Sequence, residues 1–311
     1  MEGWGFALPT TWEELSEEIE KVEGIVVRRN VSLRDLTSWR VGGQVPLMVD
    51  VCNLSAFLEL IQNLEKGKVC WRVLGAGSNI LPRDEGYEGI LIRLKGELSQ
   101  ASLGGGGFVE AGAGISLPKL ASLALSLGLG GMEFLSGIPG TLGGALKINA
   151  GCFGQEIGNL VEQVLIWERN QGLHWVNRVQ AGFGYRSSSF KKEGVVLIKA
   201  LFKAFPDSKE VIKKRMEELQ ARRAEHQPQG VFCAGSVFKN PVGDYAGRLI
   251  ESLGFKGLRV GQAQVSNKHA NFIINLGGAK ADEIRFIIKW IQGEVFRQKG
   301  IFLENEVEFW S

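Results

Sequence analysis

At 311 residues the chain has room for two or three packed domains. Its 44% hydrophobic and 23% charged residues are those of a globular protein with a sizeable core, which excludes a disordered or fibrous chain. Lys and Arg (36) almost balance Asp and Glu (34), and a net charge of +2 excludes the dense basic face of a nucleic-acid binder while leaving room for a local pocket that holds a small anion.

Residues 1–24 read as an N-terminal helical extension. Thr11 and Glu14 form a capping-box pattern, and Trp12, Leu15, Ile19 and Val22 fall on one face. A second helix is predicted from about Leu54 to Glu65. Short strands at Cys70–Leu74 and Ile90–Leu94 flank a glycine-containing loop. Residues 96–205 are glycine-rich and alternate short strands with turns. One helix is predicted there, at Leu117–Leu127, and the run Gly104 to Gly107 reads as a hairpin turn or loop.

After Pro206 the composition changes. Lys209 to Glu225 is a long charged helix suited to a domain connection or an exposed face, and helices follow near Tyr245–Leu253 and Ala281–Gln298. The last carries Ile284, Ile287, Ile288, Ile291 and Val295 on one stripe, a core-packing face. Leu303 to Phe309 alternates as a final strand that would place Glu304, Glu306 and Glu308 on one side. The fold class expected is α+β. Its parts are the 1–24 extension, two lobes at 25–95 and 96–205, and a C-terminal domain at 206–311. The regular strand–helix alternation of a doubly wound sheet is missing from the pattern.

Cys52, Cys70, Cys152 and Cys233 lack CxxC spacing and a nearby histidine, so neither a metal site nor a disulfide framework is expected. Buried free thiols in a reducing compartment are the plain reading. Met1-Glu2-Gly3-Trp4 lacks the pattern of a secretory signal, and Leu120 to Met132 is too short to span a bilayer. A soluble cytoplasmic protein without membrane insertion is expected.

Two loops invite a phosphate. In Leu74-Gly75-Ala76-Gly77-Ser78-Asn79, glycines allow close backbone approach and successive N–H groups can form an anion-binding concavity. The run is not GxGxxG and no acidic residue follows about 20 positions on, so a Rossmann site is disfavoured. The second loop is Ser136-Gly137-Ile138-Pro139-Gly140-Thr141-Leu142-Gly143-Gly144-Ala145, followed by Asn149-Ala150-Gly151. Either loop alone is as well explained by tight packing; together they favour a large dinucleotide cofactor. Tyr185-Arg186-Ser187-Ser188 offers an arginine that composition alone would leave as a solvated charge. Ala234-Gly235-Ser236-Val237-Phe238-Lys239-Asn240-Pro241 holds a serine without a GxSxG frame. With only three histidines in the chain (His174, His226, His269), a hydrolase triad is disfavoured.

In order and wording these segments resemble the UDP-N-acetylenolpyruvoylglucosamine reductases (UDP-N-acetylmuramate dehydrogenases). The resemblance runs from Thr37-Ser38-Trp39-Arg40-Val41-Gly42-Gly43 through both glycine loops, the YRSS and GSVFKNP segments and Gly257 to Asn275, to the closing LENEV. It covers all but the first two dozen residues.

The resemblance implies an FAD-binding fold of the vanillyl-alcohol-oxidase (PCMH) type in two lobes, with a C-terminal α+β domain closing over the sugar nucleotide. FAD would be held non-covalently, NADPH would be the hydride donor, and the substrate would be UDP-N-acetylglucosamine enolpyruvate. No histidine stands in or beside either glycine loop, in keeping with non-covalent binding. Carried over by motif, Gly75, Ala76, Gly77, Ser78, Asn79, Pro139, Gly140, Thr141, Gly143, Gly144, Asn149 and Gly151 would contact FAD. Tyr185, Lys239 and Asn240 would contact the substrate. Arg186, with Glu306 as its partner, would stabilise the charge that develops after hydride addition, and Ser236 would protonate the α-carbon, with Lys239 or a water easing loss of its proton. The wording is that of the shorter subtype, without an extra tyrosine-bearing loop. Cys152 and Cys233 are local departures that remove no reacting group. Two competing readings are another flavin oxidase or dehydrogenase of the same fold and a non-catalytic flavin or sugar-nucleotide binder; retention of Arg186, Ser236 and Glu306 argues against both.

Overall fold

A computed structural model describes residues 11–310. Thr11 caps the helix Trp12–Glu20: its hydroxyl accepts from the Glu14 N–H at 3.2 Å, and the Glu14 carboxylate accepts from the Thr11 N–H at 3.3 Å. Leu15, Ile19 and Val22 are buried as the spacing predicts, while Trp12, in the first turn, stays 42% exposed. Residues 1–10 of the expected extension, including the stretch Met1–Trp4, lie outside the described residues.

The chain packs as two units, neither continuous in sequence. One holds the described residues up to 29 with 46–76 and 89–221; the other holds 30–45, 77–88 and 222–310.

Two sheets lie mostly in the first unit. In a four-stranded sheet, Ile25–Ser32 lies beside Gln44–Val51, then Ile90–Leu94, then Trp71–Val73. The last three run parallel. Leu47 to Val51 and Ile90 to Ile92 are buried without interruption, as parallel strands covered on both faces must be. Asp50 is tolerated in that run because Arg93 meets its carboxylate with two hydrogen bonds, at 2.6 and 2.8 Å. The helix Leu54–Lys66 opens on Asn53, whose side chain accepts from the Ala56 N–H.

The second sheet is antiparallel and five-stranded, in the order Gly172–Asn177, Val161–Glu168, Val195–Lys203, Phe108–Gly112, Ala101–Leu103. The four-glycine run turns its last hairpin, with the Gly104 N–H on the Phe108 carbonyl at 2.7 Å. The helix Leu117–Leu127 has the predicted bounds: Pro118 stands in its first turn and Gly128, at φ +66°, ends it in the left-handed region.

In the second unit the helix Ala281–Lys299 buries Ile284, Ile287, Ile288, Ile291 and Val295 completely, against the three-stranded sheet of Arg259–Val260, Ala263–Val265 and Ile273–Asn275. Asp84 accepts from the N–H groups of Ala281 and Asp282 at 2.8 and 3.0 Å, satisfying two orphan donors at the start of that helix. Trp39 is fully buried in the same core, with its indole N–H on the Ile273 carbonyl at 2.7 Å. The charged helix Lys209–His226 begins in the first unit and ends in the second, and buries only Ile212 and Met216.

Two expectations need correction. The final strand is confined to Glu308–Phe309 and does not run from Leu303. The N–H groups of Glu306 and Val307 both converge on the Val237 carbonyl, at 2.8 and 3.4 Å, and this doubling breaks the alternation before the chain turns to pair in parallel with Ile80–Leu81. The four thiols are free, but none is fully buried: Cys70 is exposed and the other three are half-buried.

Candidate active site

In the first unit the second glycine loop folds back on the chain that precedes the Leu117–Leu127 helix. The N–H groups of Leu117, Leu142 and Gly143 donate to the carbonyls of Gly140, Ile115 and Ala113 at 3.1, 2.9 and 2.8 Å. This brings Thr141 to Gly75 of the first loop: a Cβ on Gly75 would lie 2.4 Å from Thr141 Oγ1. A Cβ on Gly144 would have that same hydroxyl, at 3.6 Å, as its one neighbour within contact distance. Among the described residues, the Ser136 hydroxyl at the entrance to this loop is buried without a hydrogen-bond partner. A small-residue cradle with an orphaned buried donor suits a dinucleotide held by backbone approach, so the residues present fit FAD.

The GAGSN run is divided between the units, with Gly75 and Ala76 in the first and Gly77, Ser78 and Asn79 in the second. Gly77 is required by local geometry. It sits at φ +62°, a Cβ there would lie 2.0 Å from the Leu36 carbonyl oxygen, and its own carbonyl accepts from the Ser38 N–H at 3.0 Å.

Arg186 stands at the tip of a two-residue hairpin in the first unit. Gly184 and Ser187 exchange N–H···O bonds of 3.0 and 3.1 Å around Tyr185 and Arg186, and Arg186 adopts φ +52°. For an arginine that backbone costs on the order of 1 kcal/mol, and such strain clusters where a side chain must be aimed. Its guanidinium lies over the half-exposed Tyr185 ring at 5.2 Å and donates from Nη2 to the Gly151 carbonyl at 3.0 Å. The segment 147–151 meets the hairpin at two further points. Ser188 Oγ donates to the Lys147 carbonyl at 2.7 Å, and Asn149 Nδ2 donates to the Gly184 carbonyl at 2.9 Å. Asn149, expected among the cofactor contacts, is 1% exposed and spends its side chain on Gly184, Glu156 and the Gly158 N–H.

Ser236 and Glu306 come together within the second unit. Gly235 turns at φ +79°, and the strand-like run after Ser236 is held from both sides. On one side the Glu306 N–H donates to Val237 and the Lys239 N–H to Glu304, at 2.8 and 2.9 Å, with Phe238 bridged to Asn305. On the other, buried Asn271 accepts from the Phe238 N–H at 2.9 Å and donates back to the Phe238 carbonyl at 2.8 Å, while its own carbonyl takes the Val237 N–H. Lys239, expected near Ser236 chemistry or the sugar nucleotide, pairs with Glu304 at 2.9 Å. Asn240 accepts from the Ala246 N–H at 3.0 Å, satisfying an orphan donor at the start of the helix Ala246–Ser252.

Asn271 was not singled out as a site residue in the sequence. The signal is a lone amide between Ala270 and Phe272 in an otherwise apolar run, which must find a partner once buried. His269 beside it accepts the Asn271 N–H on Nδ1 at 3.1 Å, and burial, aided by the Lys256 charge, pushes its imidazole below the usual histidine range. Burial pushes the Cys233 thiol up, against an opposing hydrogen bond from Gly235. A thiol so held stays protonated and weakly reactive.

Residues 48–170 match the family FAD binding domain, which places the first part of the chain in the flavin-binding class. Residues 227–310 match UDP-N-acetylenolpyruvoylglucosamine reductase, C-terminal domain. The UDP-N-acetylenolpyruvoylglucosamine reductase of Carboxydothermus hydrogenoformans is 40% identical over 95% of this chain and 97% of its own length. That of Halalkalibacterium halodurans is 37% identical over 95% and 98%. The crystal structure of UDP-N-acetylenolpyruvylglucosamine reductase from Thermus caldophilus superposes with a TM-score of 0.80 at 38% identity, covering 92% of this chain and all of that one. The chain belongs to the UDP-N-acetylenolpyruvoylglucosamine reductase family, and the expected α+β flavin fold stands.

Proposed function

We propose that this chain reduces UDP-N-acetylglucosamine enolpyruvate to UDP-N-acetylmuramate, with NADPH as hydride donor and a non-covalently held FAD, as a step of peptidoglycan synthesis. The observation that carries the reading is the hydrogen-bonded pairing of the Ser236 and Glu306 segments in a chain that matches such reductases over 95% of its length. Bound FAD supplies the hydride relay from NADPH to the enolpyruvyl carbon.

Hydride arriving at the β-carbon leaves negative charge on the α-carbon that delocalises into the attached carboxylate, an enolate carrying close to two charges. Preorganised donors aimed at that charge supply several kcal/mol of the acceleration. The Arg186 fork suits the planar carboxylate, and its attraction grows as charge develops. Glu306 acts as the protonated acid or shares a proton, since a bare carboxylate facing that charge would be repulsive. Ser236 gives its proton to the α-carbon. The main chain that follows it, Val237 to Lys239, is fixed by Asn271 and the 304–307 segment, so little reorganisation is needed at that moment.

FAD falls to the two glycine loops, with Gly75, Ala76, Gly77, Ser78, Asn79, Pro139, Gly140, Thr141, Gly143, Gly144 and Gly151, while Tyr185, Lys239 and Asn240 fall to the sugar nucleotide. The division of labour over 25–95, 96–205 and 206–311 belongs to the same proposal, supported for the flavin part by the match over 48–170. Among the described residues no helix is long and apolar enough to cross a membrane, and work in the cytoplasm is part of the reading. The test is product mass: incubation with NADPH should convert the enolpyruvyl sugar nucleotide to a species heavier by one hydride and one proton. Unchanged substrate with flavin bound would refute the assignment.

A further inference from the structure

We infer that Asn149 and Glu156 are positioning residues that hold the Tyr185–Arg186 hairpin, an inference that rests on the proposed role of Arg186. Asn149 is 1% exposed and sits at φ +47°, a conformation that asparagine tolerates better than most residues. Its orientation is unambiguous: Oδ1 accepts from the Gly158 N–H at 2.9 Å, while Nδ2 donates to the Gly184 carbonyl at 2.9 Å and to Glu156 Oε2 at 2.8 Å. Glu156 and the Gly158 N–H together keep the amide turned so that its donor faces the hairpin. The carbonyl it reaches also closes the hairpin by accepting from the Ser187 N–H.

The surroundings are shaped to the same end. A Cβ on Gly158 would fall 2.6 Å from the Phe183 ring and 2.8 Å from Asn149 Oδ1, so only glycine lets the amide approach. Glu156 is brought to the site by a small hairpin in which it pairs with Gly151, the residue whose carbonyl accepts from Arg186. One amide and one carboxylate thus tie together the two segments that touch the arginine, and neither needs to touch substrate. Displacing the arginine by an ångström is enough to cost about a hundredfold in a step that depends on its placement.

The experiment is a double-mutant cycle on the FAD-loaded protein, reading the two half-reactions separately. Asn149→Ala should slow reoxidation of the bound flavin by the enolpyruvyl sugar nucleotide about a hundredfold, and far more than it slows reduction by NADPH. In an Arg186→Ala background the same change should add no further loss, because its effect passes through that side chain. Hydrogen exchange gives a readout independent of turnover: the Gly184 and Ser187 amides should exchange faster in Asn149→Ala while those of Val161–Glu168 do not change.

Equal damage to both half-reactions, losses that add in the double variant, or a hairpin with unaltered exchange would overturn the inference. If Arg186→Ala itself reoxidises normally, the reading of Arg186 falls first and takes this inference with it. Should Asn149→Ala not fold, Glu156→Ala carries the same cycle. It removes one of the two groups that orient the amide and leaves the Gly158 N–H, so it should slow the same half-reaction to a smaller degree, and normal reoxidation in that variant would be contrary.

Discussion

The side-chain amide of Asn79 donates to the main-chain carbonyl of Glu306 at 3.0 Å. A loop whose composition suits a phosphate thereby also holds the chain of a residue 227 positions away. Because the Glu306 N–H in turn rests on the Val237 carbonyl, the register of Ser236 against Glu306 is fixed by main-chain bonds before any substrate arrives.

From that register follows the first prediction. Ser236→Ala should leave reduction of the bound flavin by NADPH intact and slow its reoxidation by substrate at least about a hundredfold, the usual worth of a positioned proton donor. Stopped-flow absorbance separates the two steps. Equal damage to both would remove Ser236 from the role of proton donor.

Arg186→Lys keeps the charge and loses the fork. With the backbone of the hairpin retained, reoxidation should fall about a hundredfold, as for loss of one preorganised donor. Near-normal turnover would mean that a point charge suffices and that bidentate recognition is not used.

His269 gives a pH prediction with a definite sign. Burial, then the Lys256 charge, lowers its folded-state pKa below the ordinary imidazole value. Protonation therefore favours the unfolded chain. The stability held with neutral imidazole is present above the ordinary imidazole range and is lost as pH falls through it towards the lower folded value. His269→Asn keeps an acceptor for the Asn271 N–H and removes the titration. Thermal melts from neutral to mildly acidic pH should show a shallower fall for the variant than for the parent; equal slopes would contradict the assignment.

Thiol reactivity should follow exposure. Cys70, exposed at the start of the Trp71–Val73 strand, should be alkylated first at neutral pH. Cys233, whose thiol is pushed up by burial, should react slowly and speed up only under alkaline conditions. Peptide mass spectrometry after iodoacetamide reads both. Rapid modification of Cys233 at neutral pH would mark it as an activated thiol.

Much of the local structure was legible because its signals are local. Pro118 and Gly128 mark the ends of the Leu117–Leu127 helix, Thr11 and Glu14 announce the first helix, and the isoleucine stripe of Ala281–Lys299 is fully buried. The final strand is shorter than the alternation predicts, because alternating glutamates report side-chain chemistry. What breaks the strand is two N–H groups converging on Val237, a partner some 70 positions away that periodicity cannot see. For the same reason nothing in the composition places residues 30–45 and 77–88 with the C-terminal part of the chain. The site was legible only through resemblance: Arg186 alone reads as a surface charge, and the tasks of Asn149 and Asn271 exist only once Gly184 and Phe238 are beside them.

The most direct test of the account is visible absorbance of the purified protein without oxygen, first alone, then with NADPH, then with the enolpyruvyl sugar nucleotide. Flavin bands should be present, bleach with NADPH and return with the sugar nucleotide. Bands that return only on admitting oxygen, or no flavin even after FAD is supplied, would contradict it.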